Sequence, residues 1–164
     1  MVSDDLILLH VFWKHLLRFL TIIKDSVKSK RGNNNSIVTE EKQYKKSTDL
    51  TGSELDGRRN YKMHLPSEIP VCRFWSVIVY DNETGLIIST GQAWPSVHSQ
   101  SRKLRVNHDG SVDIWFGPMP DASGGENWIK TIPGKGWNMI LRLYGIQEPG
   151  FERRWTPGEI EPLQ

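Results

Sequence analysis

Trp137-Asn138-Met139-Ile140-Leu141-Arg142-Leu143-Tyr144 is the stretch that decides the fold. Trp137, Met139, Leu141 and Leu143 fall at every second position, and Asn138, Ile140, Arg142 and Tyr144 fill the places between. A period of two sends alternate side chains to opposite faces of a β-strand. Pro133-Gly134-Lys135-Gly136 lies directly upstream and supplies the turn into it. Working outward, Phe74-Trp75-Ser76-Val77-Ile78-Val79-Tyr80 is rich in β-branched and aromatic residues and reads as a strand buried on both faces. Asp81-Asn82-Glu83-Thr84-Gly85 turns the chain toward a short strand at residues 86–88. Residues 59–65 alternate loosely and stop at Pro66. Leu104-Arg105-Val106 and residues 112–116 flank Asn107-His108-Asp109-Gly110, where the Asp-Gly pair is a hairpin signal. Asp113, between Val112 and Ile114, is expected on the side opposite those two.

Composition agrees with many short strands and tight turns. The 164 residues include 7 Trp, 5 Phe and 4 Tyr to build a core, and 14 Gly and 9 Pro to turn the chain. The single cysteine, Cys72, excludes an internal disulfide and a cysteine-based zinc site. Residues 1–47 hold nine Lys/Arg against five Asp/Glu, whereas residues 48–164 hold twelve against fourteen. The β-rich part is thus nearly neutral, which argues against a nucleic-acid-binding face.

The N-terminal third has a different character. Residues 6–23 are apolar but broken at His10, Lys14, His15, Arg18 and Thr21, a spacing that predicts an amphipathic helix over residues 1–24. Lys14 and Arg18 argue against a membrane span. Asp4 and Asp5 stand where a signal peptide needs a basic segment. Such a helix is expected to pack on a protein surface or to lie against a membrane surface. Residues 25–47 are polar, with Lys28-Ser29-Lys30-Arg31 and Asn33-Asn34-Asn35, and read as a flexible linker. A β-domain is expected over residues 48–164.

Leu55-Asp56-Gly57, Asn60-Tyr61-Lys62-Met63-His64-Leu65-Pro66, Phe74-Trp75-Ser76-Val77, Asn127-Trp128-Ile129, Pro133-Gly134-Lys135-Gly136-Trp137, Leu141-Arg142-Leu143-Tyr144-Gly145 and Trp155-Thr156-Pro157-Gly158-Glu159-Ile160 follow one another in the order found in a known family. Together they resemble DUF 1214, a domain of unknown function, across about residues 48–161. The resemblance implies a jelly-roll-like antiparallel β-sandwich. It also implies a missing companion, because DUF 1214 normally follows a DUF 1254 half that residues 1–47 do not resemble. Many bacterial members look exported, but this N-terminus lacks a convincing signal peptide, so localisation is left open between the cytoplasm and a membrane surface. Two loops depart from the family pattern. Gly85-Leu86 replaces an Arg-Ser pair, and the stretch before Asn127 is short.

Chemistry is harder to find than fold. Asp113 and Glu126 are the acidic pair that a glycosidase-like mechanism would use, if they converge. Asp109 and Asp113 are equally well explained as turn and strand-face residues. His10, His15, His64, His98 and His108 show no metal-ligand spacing, and neither a metal nor a cofactor is expected. Ser99 and Ser101 lack the Gly-x-Ser-x-Gly elbow of a nucleophile. Gly134-Lys135-Gly136 lacks the rest of a phosphate loop. Trp128, beside Asn127, and Trp94, beside Pro95, offer flat apolar faces with an N–H to donate, the chemistry that holds a sugar ring. Their alternative role is to cap the ends of the core. Arg142 and Tyr144 share a strand face, which would line a pocket with Tyr61 and His64 if it were concave.

The expectation is a non-catalytic module that binds a small or glycan-like ligand through Tyr61, His64, Asn127, Trp128, Arg142 and Tyr144, or that pairs with a DUF 1254-type domain. The alternative is a carbohydrate-active hydrolase or lyase using Asp113 and Glu126. A domain separated from its companion exposes apolar surface, so homo-oligomers are also expected.

Overall fold

The computed structural model describes residues 41–92, 95–120, 125–146 and 154–163. These belong to one compact unit, Thr39–Gln164. The helix expected over residues 1–24 and most of the polar linker lie outside the described residues, as does Trp94.

Among the described residues, eight strands form two sheets. They are β1 (Glu41–Lys46), β2 (Tyr61–Leu65), β3 (Val71–Asp81), β4 (Ser96–His98), β5 (Val112–Gly117), β6 (Trp128–Lys130), β7 (Trp137–Ile146) and β8 (Ile160–Pro162). The first sheet has the order β1-β7-β3-β4 and the second β6-β5-β2-β8. All pairings in the first sheet are antiparallel. The second sheet is mixed, because β6 runs parallel to β5. This corrects the expectation of purely antiparallel sheets.

One core joins the two sheets. Val77, Val79, Met139, Leu141 and Leu143 of the first sheet belong to the same buried cluster as Met63, Leu65, Ile114, Phe116, Ile129 and Ile160 of the second. Trp137 ties them together. Its ring stacks on Phe116 at 5.0 Å and meets Tyr61 edge-on at 5.6 Å. Aromatic pairs of this kind add to the stabilisation that burial already gives. Strand β7 alternates as its sequence requires, with Trp137, Met139, Leu141 and Leu143 fully buried and Ile140, Arg142 and Tyr144 only half so.

The structure departs from the sequence expectation in four places, each with a local cause. Residues 41–46 are not linker but β1, which pairs along its length with β7. Tyr44 lies opposite Leu141 and packs against the core, while Glu41, Gln43 and Lys45 face outward. One apolar anchor in a charged hexapeptide is too weak a pattern to announce a strand. Residues 104–106 form no strand, because the side chain of Asn127 takes the place of a partner. Its amide oxygen accepts from Arg105 N at 3.0 Å and its NH2 donates to Arg105 O at 2.7 Å. Asn107-His108-Asp109-Gly110 is therefore a closed turn (Asn107 N to Ser111 O, 2.9 Å) and not a hairpin between two strands. Residues 86–88 make only a bridge, Ile87 to Tyr80. Finally, β3 is not buried evenly on both faces. Trp75, Val77 and Val79 point into the core, whereas Phe74, Ile78 and Tyr80 are half-buried on the other side.

Gly57 shows why the Leu55-Asp56-Gly57 motif is restricted. A methyl group there would collide with the backbone carbonyl of Ile132. Thr131 also donates its hydroxyl to Gly57 O at 2.9 Å.

Candidate functional site

The outward positions of β2 and β5 carry a compact polar group. Antiparallel register sets His64 opposite Asp113 and Lys62 opposite Trp115. Directly opposed side chains on one sheet face are near enough to bond. His64 Nδ1 lies 2.7 Å from Asp113 Oδ1, and Lys62 Nζ lies 3.1 Å from Oδ2. Asn107 donates to the same Oδ2 at 3.3 Å. The ionised carboxylate can only accept, so the proton of this contact sits on Nδ1. Burial alone would raise the Asp113 carboxyl, but the hydrogen bonds from His64, Lys62 and Asn107 outweigh it and hold it below the usual carboxylate range.

Two tryptophans lie beside this group. Trp115 of β5 and Trp128 of β6 are register partners on adjacent parallel strands, both half-buried and both opposite in direction to the core residues Phe116 and Ile129. Lys62 Nζ sits 5.6 Å from the centre of the Trp115 ring, within cation–π range. Trp128 Nε1 is buried without a hydrogen-bond partner among the described residues. Beneath the face, Asn127 is 1% exposed, and its NH2 also donates to Asp113 O at 2.9 Å. Asn127 therefore holds the loop of Arg105 against β5 and has no group left to offer a ligand.

Of the residues singled out from the sequence, His64, Asp113 and Trp128 come together on this face. Glu126 is on the adjoining one-turn 3-10 helix, where it pairs with Lys103 at 3.4 Å. Each of the two carboxylates thus has its own cation. Tyr61 does not join them. It points the other way, fully buried against Trp137, and its hydroxyl accepts from Asp56 N at 3.0 Å. Arg142 and Tyr144 are on the outer face of the first sheet, across the core from His64. The pocket imagined from Arg142, Tyr144, Tyr61 and His64 is consequently split over three surfaces. Lys62, Asn107 and Trp115 belong to the face and were not singled out. Period-two alternation from Asp113 to Trp115 was the signal that could have found the tryptophan.

Loops that looked suggestive are structural. Lys135 of Gly134-Lys135-Gly136 reaches Asp81 Oδ2 at 2.6 Å, and Asp81 in turn accepts from Glu83 N and Thr84 N. Among the described residues no three His, Cys, Asp or Glu side chains are placed to hold a metal ion.

A family model described as "Protein of unknown function (DUF1214)" matches residues 40–148. The chain belongs to the DUF1214 family. The match begins just before β1, in agreement with the place of that strand in the first sheet. No curated protein is significantly similar to it. Among solved structures, the VPA0106 protein of Vibrio parahaemolyticus matches with a TM-score of 0.62 at 24% identity, over 76% of this chain and 31% of that one. An uncharacterized protein from Burkholderia cenocepacia matches with a TM-score of 0.43 at 18% identity, over 82% of this chain and 31% of that one. The Vibrio likeness shows the fold. The chain thus spans about a third of the length of both structures.

Proposed function

We propose that this DUF1214 domain, read as a jelly-roll-like sandwich, is a non-catalytic module that binds a glycan-like ligand along β2, β5 and β6. The observation that carries the reading is the in-register pair Trp115 and Trp128 beside the His64–Asp113–Lys62 group. Flat rings give a sugar its apolar contact, and the polar group at their border gives its hydroxyls donors and acceptors. The hydrolase reading is less well supported. A general acid needs a raised pKa, whereas Asp113 is lowered and Glu126 has a separate cation.

Titration of the chain with neutral oligosaccharides, followed by tryptophan fluorescence, tests the proposal. Trp115→Ala and Trp128→Ala are each expected to weaken binding by about tenfold or more, the scale of losing one buried aromatic contact. Failure of every oligosaccharide on an array to bind the wild-type chain would sink it.

A second reading rests on length. Because the chain covers 31% of the Vibrio protein, the domain would serve as one part of a larger assembly, with a DUF 1254-type domain as its companion. Co-sedimentation with such a domain supplied separately checks this reading, and two independent boundaries would count against it.

A further inference from the structure

The outer face of the first sheet carries groups that nothing described above uses. Gln43, Arg142, Ser76 and His98 form one row across β1, β7, β3 and β4, each directly opposite the next. Their chain neighbours Leu141, Val77 and Val97 point into the core, so this row points out. Yet Ser76 is only 1% exposed, and among the described residues its hydroxyl makes no hydrogen bond. The Nδ1 of His98, next to it in the row, is likewise buried without a partner. Two adjacent orphaned polar atoms are unusual, since leaving a buried donor or acceptor unmade costs more than a typical hydrogen bond contributes.

Arg142 completes the set. Its guanidinium donates to the Tyr80 hydroxyl at 2.8 Å and lies 5.7 Å from the centre of the Tyr80 ring, which fixes its direction. Among the described residues it has no ion pair with a carboxylate, although four other fork positions remain on a group built to grip one. Along one side of the row stands an aromatic wall. Phe74 is 5.5 Å from Tyr144 and 5.7 Å from His98, centre to centre. Ile78 and Ile140, opposite each other, border the other side. Phe74, Ile78, Tyr80, Arg142 and Tyr144 keep part of their surface in solvent, which gives a small molecule a way in.

We propose that this face is a second binding site, taking a small carboxylate with an aromatic or aliphatic body. The carboxylate is gripped by the free edge of Arg142 and by the Ser76 hydroxyl, and the body lies along Phe74 and Tyr144. Burial lowers the His98 pKa and keeps the ring neutral near pH 7, so its orphaned Nδ1 adds a hydrogen-bonding position without a second charge.

Calorimetric titration of the full chain with benzoate and with benzyl alcohol tests the site. Benzoate is expected to bind saturably in the millimolar range or below, and the alcohol at least about tenfold more weakly. Ser76→Ala is expected to weaken benzoate severalfold while leaving the melting temperature unchanged or higher, because the hydroxyl has no internal hydrogen bond to lose. Arg142→Gln is expected to abolish binding, and Trp115→Ala, on the opposite face, to leave it intact. Equal affinity for acid and alcohol would overturn the proposal, as would undiminished binding in a folded Arg142→Gln chain. If Arg142→Gln does not fold, Ser76→Ala decides alone, and unchanged affinity in that variant overturns the site.

Discussion

The two outer faces of this domain are built on opposite plans. On the second sheet, charge is satisfied within the domain. Asp113 meets His64, Lys62 and Asn107, and the tryptophans lie beside an already neutralised group. On the first sheet, the aromatic residues surround Arg142, Ser76 and His98, whose donors and acceptors are partly unanswered. Sheets that cover one core usually show water a polar outer surface. Here both outer faces carry rings, but only on the second sheet is the charged group beside them paired within the domain. A paired group gives a rigid rim for a neutral ligand, and an unpaired one waits for the missing charge.

Removing what both faces share is the strongest way to break the contrast. Trp137→Ala deletes the ring that stacks on Phe116 and meets Tyr61 edge-on, and is expected to cost about 3–5 kcal/mol in urea unfolding. Both faces should then be lost in a single transition. Asn127→Ala is a more selective blow. It leaves Arg105 N, Arg105 O and Asp113 O without their partner and is expected to cost about 3 kcal/mol. Amide chemical shifts should change around β5 and residues 104–106 while β3 and β7 keep theirs.

Acid separates the faces by where their stability begins to fall. His98 is held below its ordinary 6.5 by burial, so the unfolded chain takes up that proton first. Its contribution is complete above pH 6.5 and is lost as pH falls from there through the lower folded value. His98→Gln should flatten that part of the stability curve. Asp113 is held below its ordinary 3.8, so its contribution is complete above about that pH and is lost only below it. Asp113→Asn should soften the low-pH fall but not remove it, because Asp49, Asp81 and Asp109 are lowered as well. Thermal melts from pH 8 to pH 3 resolve the two windows. The smallest effect is expected from Glu126→Gln, which breaks only the exposed pair with Lys103 and should change stability by less than about 0.5 kcal/mol.

How much of this was legible depended on whether the deciding interaction is local. The alternation of residues 137–144 reports burial on one face directly, and β7 has that pattern. Asp113 was placed on the outward side of its strand for the same reason. The identity of its partner was not legible, because His64 comes from 49 residues earlier and is fixed by the β2–β5 register. Residues 104–106 misled because an amide side chain, Asn127, can satisfy backbone groups that would otherwise need a strand. Tyr61 misled because an aromatic residue with a hydroxyl suits a pocket and a core equally well, and Asp56 N satisfies that hydroxyl inside. Arg142 and Tyr144 were seen to share a face, but the sheet they face away from was not predictable from their own strand.

The charged strand β1 has one more consequence. It is the outermost strand beside β7, with Lys42, Lys45 and Lys46 along six residues. Lysine on such a border discourages a second molecule from adding its own strand there. A shortened chain beginning at Thr48 would lose that guard and bare the hydrogen-bonding edge of β7, a long and largely apolar strand. Such a chain is expected to aggregate by edge-to-edge pairing, while the chain that keeps β1 has that edge sealed.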